Sequence, residues 1–226
     1  MFYHDASEGL KKIRTAVIFE LVATIFAIIT GVIAIFAAMQ LQETGANTLP
    51  AEAISPLAIV TLVASLAVMI FSLISFFMEL SGLKMAANDD SNFQTARTLI
   101  FAAIITSVIA GVLQSFQGGG STFSELSKII SNAVSMFVVY FVCKGASNLL
   151  NNIGHTVLAR KGNTAATIII VARLISTIAE AAVTFLGNNE TIDMICAFIL
   201  VGAGIAEIAG IFIYIRFLSD SSNALA

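Results

Sequence analysis

Residues 56–79 read PLAIVTLVASLAVMIFSLISFFME, with no charged side chain between Pro56 and Glu79. The hydrocarbon core of a bilayer is about 30 Å thick, and a helix rising 1.5 Å per residue crosses it in about 20 residues. A surface helix of a soluble domain would interleave a polar face with its apolar one. This stretch has no polar face, so it reads as a transmembrane helix.

The same reading extends outward to five further runs, at 14–38, 96–116, 125–143, 164–186 and 192–217. Ser131, Asn132 and Ser135 interrupt the run at 125–143, and Lys128 shortens it. That helix is expected to be shielded from lipid by its neighbours. The fold class that follows is all-α: one transmembrane domain over 1–226, with six transmembrane helices as three tandem helical hairpins and cytoplasmic linkers at 80–95 and 144–163. Helix starts are predicted at Ser55 before Pro56, at Ser91 with Gln94, and at Thr122 with Glu125, which have N-cap, N1-proline and capping-box spacing.

Composition agrees with a life in lipid. The chain is 58% hydrophobic and 11% charged, against about 25% charged in soluble domains, and its mean hydropathy is +0.96. The net charge of −3 includes no dense basic run, which excludes a nucleic-acid surface. Lys11, Lys12 and Arg14 precede the first apolar run as in a secretory signal, but Thr15–Ala38 exceeds a signal core of about 7–15 residues. It is read as a retained span. Cys143 and Cys196 fall near opposite faces of the membrane and are expected to be free thiols.

Orientation is read from the Lys and Arg residues of the short loops. Lys11, Lys12, Arg14, Lys84, Arg97, Lys144, Arg160, Lys161 and Arg216 fall on one side, and only Lys128 lies near the loops of the other. Tyr3, Tyr140 and Tyr214 lie at the same basic side. The expected location is the cell membrane, multi-pass, with both termini cytoplasmic. Residues 95–110 (TARTLIFAAIITSVIA) align without gaps to 164–179 (TAATIIIVARLISTIA), which favours a duplicated hairpin, with Lys12–Thr15 as a fainter third copy.

The opening Gly9-Leu10-Lys11-Lys12-Ile13, and Glu79-Leu80-Ser81-Gly82-Leu83-Lys84 leading through Asp89-Asp90 and Phe93 to Ala96, resemble uncharacterised multi-pass membrane proteins of Gram-positive anaerobic bacteria. The resemblance covers about the first half of the chain. It implies a bacterial cytoplasmic membrane protein and carries no activity with it.

Charges inside spans are the best pointers to a site, because an ionised side chain at mid-bilayer costs about 2.5–3.5 kcal/mol on insertion scales. Arg173 and Glu207 each fall about 14 Å from the basic face by helix rise, and Glu20 about 10 Å. The sequence therefore predicts an intramembrane polar cluster of Arg173, Glu207 and Glu20. It either locks the last hairpin together or lines a path for an ion, a proton or a small anion. Glu180 and Glu79 read as interfacial carboxylates. Gly202, Ala206 and Gly210, and likewise Ala23, Ala27 and Gly31, recur at the four-residue spacing of close helix contacts.

No catalytic or metal constellation is predicted. His4 and His155 are isolated, Gly118–Gly120 lacks the Gly-Lys-Ser/Thr ending of a phosphate loop, and Asn189-Glu190-Thr191 reads as a turn. Segment 144–163 is expected to lie along the inner leaflet or dock a partner. The expected function is a non-enzymatic accessory or regulatory membrane component, with no cofactor and no nucleic acid. Its partners are the lipid bilayer and either another protein or a second copy of the chain. The alternative is a small transporter or channel using the Arg173, Glu207 and Glu20 layer.

Overall fold

The computed structural model describes residues 3–43, 51–116, 121–186 and 190–226, with side chains over 3–33, 59–106, 108–109, 129–183 and 194–226. All secondary structure among them is helical: α1 (His4–Glu43), α2 (Ala51–Ala86), α3 (Ser91–Phe116), α4 (Ser121–Asn152), α5 (Thr156–Leu186) and α6 (Glu190–Leu225). Five of these are long and apolar enough to cross a membrane over their described residues: His4–Ile33, Ile59–Ala86, Ile129–Asn152, Thr156–Val183 and Met194–Leu225. The predicted loops around 44–50, Gly118–Gly120 and Gly187–Asn189, and the side chains of Thr122, Glu125 and Lys128, lie outside the described residues.

The helices are longer than a bilayer crossing requires. α1 has 40 residues and α2 and α6 have 36 each, whereas about 20 suffice to span the hydrocarbon. The surplus builds a packed end in the unit formed by residues 1–11 and 81–226. Leu10, Leu83, Phe93, Leu149, Leu150, Phe217, Leu218 and Leu225 are fully buried there. Each side chain of that size contributes about 1.5–3 kcal/mol on burial. The two ends of the chain meet in this core: the Tyr3 N–H donates to the Leu225 carbonyl (3.2 Å) and Ser7 Oγ to the Ser222 carbonyl (2.7 Å).

Close approach at this end depends on small residues. A Cβ on Gly9 would lie 2.5 Å from the Gly82 carbonyl oxygen and 2.9 Å from the Ala86 nitrogen, so α1 and α2 touch backbone to backbone. Phe93 on α3 lies against Gly145 on α4, and Phe217 on α6 against Gly162 on α5. Within 81–226, α5 packs along α6, α3 along α4, and α4 along α5. The separate unit, residues 12–80, is an antiparallel helix pair tied by Ser75 Oγ donating to the Ala16 carbonyl (2.9 Å) and by Phe71 stacked on Phe19 and Phe26.

Several predicted boundaries move. α2 begins at Ala51, so Ser55 is not its cap and Pro56 lies inside the helix, where it removes one backbone hydrogen bond. The N-cap of α3 is Asp90 rather than Ser91: Asp90 Oδ1 accepts the Asn92 N–H at 2.7 Å. The largest difference concerns 144–163, expected as a linker. α4 continues to Asn152 and α5 resumes at Thr156. Between them, Gly154 takes φ +85° while the His155 N–H bonds the Leu150 carbonyl and the Gly154 N–H the Asn151 carbonyl. That is the glycine-terminated stop in which a left-handed residue lets the chain turn back onto the last carbonyls. The apolar residues Leu149 and Leu150 face the core of the packed end instead of a leaflet.

Candidate functional site

The polar layer is built by three helices. α5 and α6 run antiparallel, with Gly162 opposite Phe217 and Gly210 against Ile169. That register carries Arg173 to the level of Glu207, and Arg173 Nε donates to Glu207 Oε1 at 2.7 Å. Arg173 Nη1 donates to Ser135 Oγ on α4. Thr177, one turn along, donates its hydroxyl to the Arg173 carbonyl at 2.8 Å. The Arg173 and Glu207 side chains keep 17% and 27% exposure. A guanidinium presents a fixed fork of donors, and here it joins a carboxylate on one neighbouring helix to a hydroxyl on the other. Pairing lowers the insertion cost of both charges.

Within the 81–226 unit Arg173 thus has a second partner in Ser135. Glu20 belongs to the unit of residues 12–80; its side chain is exposed and its carbonyl accepts from Thr24 Oγ1 at 2.9 Å. Ser135 had a visible signal, as one of three polar residues interrupting the fourth apolar run. Depth along a helix was readable there, but the facing direction was not.

The predicted small-residue stripes are placed unevenly. Gly210 is buried against Ile168 and Ile169, and Ala23 is buried, whereas Gly202, Ala206, Ala27 and Gly31 are exposed. Beyond the neighbouring residues and backbone of its own helix, nothing lies within 4 Å of a Cβ built on Gly202 or Gly31. The buried seam of α6 instead runs Cys196, Ala203, Gly210, Phe217, at seven-residue spacing. Four-residue steps advance 40° too far around a 3.6-residue helix, so a stripe spaced by four drifts off a seam spaced by seven.

A second polar arrangement, absent from the prediction, organises the packed end. Asp89 Oδ2 accepts the Ala6 N–H at 2.6 Å in the first turn of α1, and Asp5 Oδ2 accepts from Asn88 Nδ2 at 2.8 Å. Asp90 caps α3 and also accepts from Asn148 Nδ2 on α4 at 3.3 Å. Carboxylates at helix N-termini meet unpaired N–H groups and the positive end of the dipole. The turn after α2 therefore ties α1, α3 and α4 together. The sequence signal was Asn88-Asp89-Asp90 just before a helix; what it capped besides α3 was not readable.

Both cysteines are free and buried. Both histidines are exposed, His4 lying 3.6 Å from Glu8. Among the described residues no group of His, Cys, Asp and Glu side chains converges to hold a metal ion. Compared with protein-family models, curated proteins and solved structures, the chain finds no match.

Proposed function

We propose that this protein is a six-span component of a bacterial cell membrane with a non-enzymatic accessory or regulatory role. In this reading the packed end and both termini face the cytoplasm. The observation that carries it is the use made of Arg173: the one basic residue deep in an apolar run spends its hydrogen bonds on Glu207 of α6 and Ser135 of α4. A charge so engaged holds three helices in register, as a lock does.

Three further observations support the topology. The Tyr3 N–H and Ser7 hydroxyl bond the Leu225 and Ser222 carbonyls, which favours an even number of crossings, with α3 proposed as the sixth beside the five helices that meet the length and apolarity criteria. Lys84, Arg97, Lys144, Arg160, Lys161 and Arg216 all lie on the helix segments that enter or leave the packed end, which favours a cytoplasmic location for it.

The hairpins α3–α4 and α5–α6 also carry matching details. Thr95 and Thr98 donate to carbonyls four residues earlier, as do Thr164 and Thr167. Each hairpin fills the same level with one phenylalanine against one glycine, Phe93 on Gly145 and Phe217 on Gly162, with the sizes exchanged between the helices. Duplication with compensated volume accounts for that exchange.

The test is a set of three variants, Arg173→Leu, Glu207→Leu and both together, with folded yield and thermal stability measured in mild detergent. A lock predicts that each single variant is severely destabilised and the double variant is partly restored. Native mass spectrometry of the protein from its own membrane then asks for a stoichiometric second protein, as an accessory role requires. The second reading, a small transporter or channel, draws on the residual exposure of Arg173 and Glu207. It predicts ion or small-anion flux in liposomes that a well-folded double variant abolishes.

A further inference from the structure

The carboxylates and cations of the packed end are used differently. Asp5, Asp89 and Asp90 turn to backbone N–H groups and asparagine amides, and none is spent on a lysine or arginine in those contacts. Arg97 on α3 and Lys144 on α4 have no carboxylate partner among the described residues. Each instead leans back along its helix over an aromatic ring one turn deeper into the apolar region. Arg97 Cζ lies 5.5 Å from the centroid of Phe101, and Lys144 Nζ lies 5.6 Å from that of Tyr140.

These rings mark a border. Phe101 and Tyr140 are themselves 43% and 41% exposed, and beyond them along the same helices Ile105, Val108 and Phe137 are exposed too. On the other side, Phe93, Val142, Cys143 and Ala146 are buried in the packed core. α3 and α4 are paired in a register that sets Phe93 at Gly145 and Asp90 at Asn148. Arg97 and Lys144 therefore differ in depth by only about three residues, or about 4.5 Å by helix rise. Two uncompensated cations thus stand at one level, where a buried core gives way to an apolar surface.

We propose that Arg97 and Lys144 bind the phosphodiester headgroup of an anionic phospholipid at this border. The inference rests on the membrane reading given above. The phosphate supplies the counter-charge that the chain withholds, the cation–aromatic contacts hold both side chains at headgroup depth, and the acyl chains cover the apolar surface beyond Phe101 and Tyr140. Cations at an anionic leaflet gain affinity additively. Arg160 and Lys161 are exposed near the start of α5 and have no such ring contact in the described residues, so they serve as the comparison pair.

The experiment is native mass spectrometry of the whole chain in a neutral detergent, with an equimolar mixture of phosphatidylglycerol and phosphatidylcholine of identical acyl chains. The wild type should retain phosphatidylglycerol preferentially. Arg97→Gln with Lys144→Gln should reduce that preference by about 25-fold at low salt, about fivefold per cation. Arg160→Gln with Lys161→Gln should keep most of it, and Arg97→Lys with Lys144→Arg should restore it. Equal loss in the two glutamine pairs, or an unchanged preference in the first, would overturn the proposal in favour of a diffuse basic belt. Displacement of the lipid by inorganic phosphate at the same concentration would overturn it in favour of a soluble anion. Retention of both lipids without preference would overturn this proposal alone. Retention of neither would overturn the membrane reading as well.

Discussion

The two halves of the 81–226 unit pack by different rules. At the end that holds the chain termini, Phe93 and Phe217 are buried against glycines, and polar groups are spent on caps and helix-to-helix hydrogen bonds. Towards the hairpin tips, Phe198 is 74% exposed and Ile178 and Ile205 point outward as well. The first half is ordered by the same burial and capping that hold a water-soluble helical domain. In the second, the large apolar side chains are exposed, and the helices meet over small residues and one charged node. Apolar content does not mark where this protein is tightly packed. The most apolar stretches are the least buried.

That contrast is open to direct attack. The largest effect is expected from Phe217→Ala, which empties a fully buried site and should cost about 3–5 kcal/mol, against no more than about 0.5 kcal/mol for Phe198→Ala. Thermal unfolding of the two variants in the same detergent checks the pair, and equal losses would break the comparison. Next is Glu207→Leu, which strands Arg173 in the apolar half at about 3 kcal/mol; removal of Arg173 as well should recover most of that in the same measurement.

A smaller effect follows for Gly9→Ala, whose new methyl group meets the Gly82 carbonyl and should destabilise by about 1–3 kcal/mol. The same change at Gly31, with open space around it, should be neutral or stabilising by up to about 1 kcal/mol. A melting shift of the same sign at both glycines would show that the exposed stripe is packed after all. The smallest is Asp90→Ala, which removes the cap of α3 and should cost about 1 kcal/mol. Hydrogen exchange should report it as faster opening of the first turn of α3, with the apolar half unchanged.

Part of this was readable in the residues. The uncharged run at 56–79 needs only length and hydropathy to become a helix, and Arg173 and Glu207 could be put in one layer because depth along a helix is simple arithmetic. The segment 144–163 carries the amides and basic residues of a surface linker, yet it is helical to Asn152 and again from Thr156, and Leu149 and Leu150 are buried in the packed end. The stop at Gly154 had a local signal in Asn-Ile-Gly-His, but a single glycine could equally end a helix or sit within a loop.

Helicity, the fit of the apolar runs to a bilayer, and the charges within those runs were all legible in the residues alone. Those properties depend on composition and spacing along one strand of chain, which any window of residues carries. Only the packing of the helices shows that Ser135 joins the Arg173 node, that Asp89 accepts the N–H of Ala6, 83 residues earlier in the first turn of α1, and that the α6 seam runs through Ala203 and Gly210 rather than Gly202 and Ala206. Each of these turns on the rotation of a helix about its own axis, which nearly uniform apolar side chains leave undefined until a neighbouring helix selects one face.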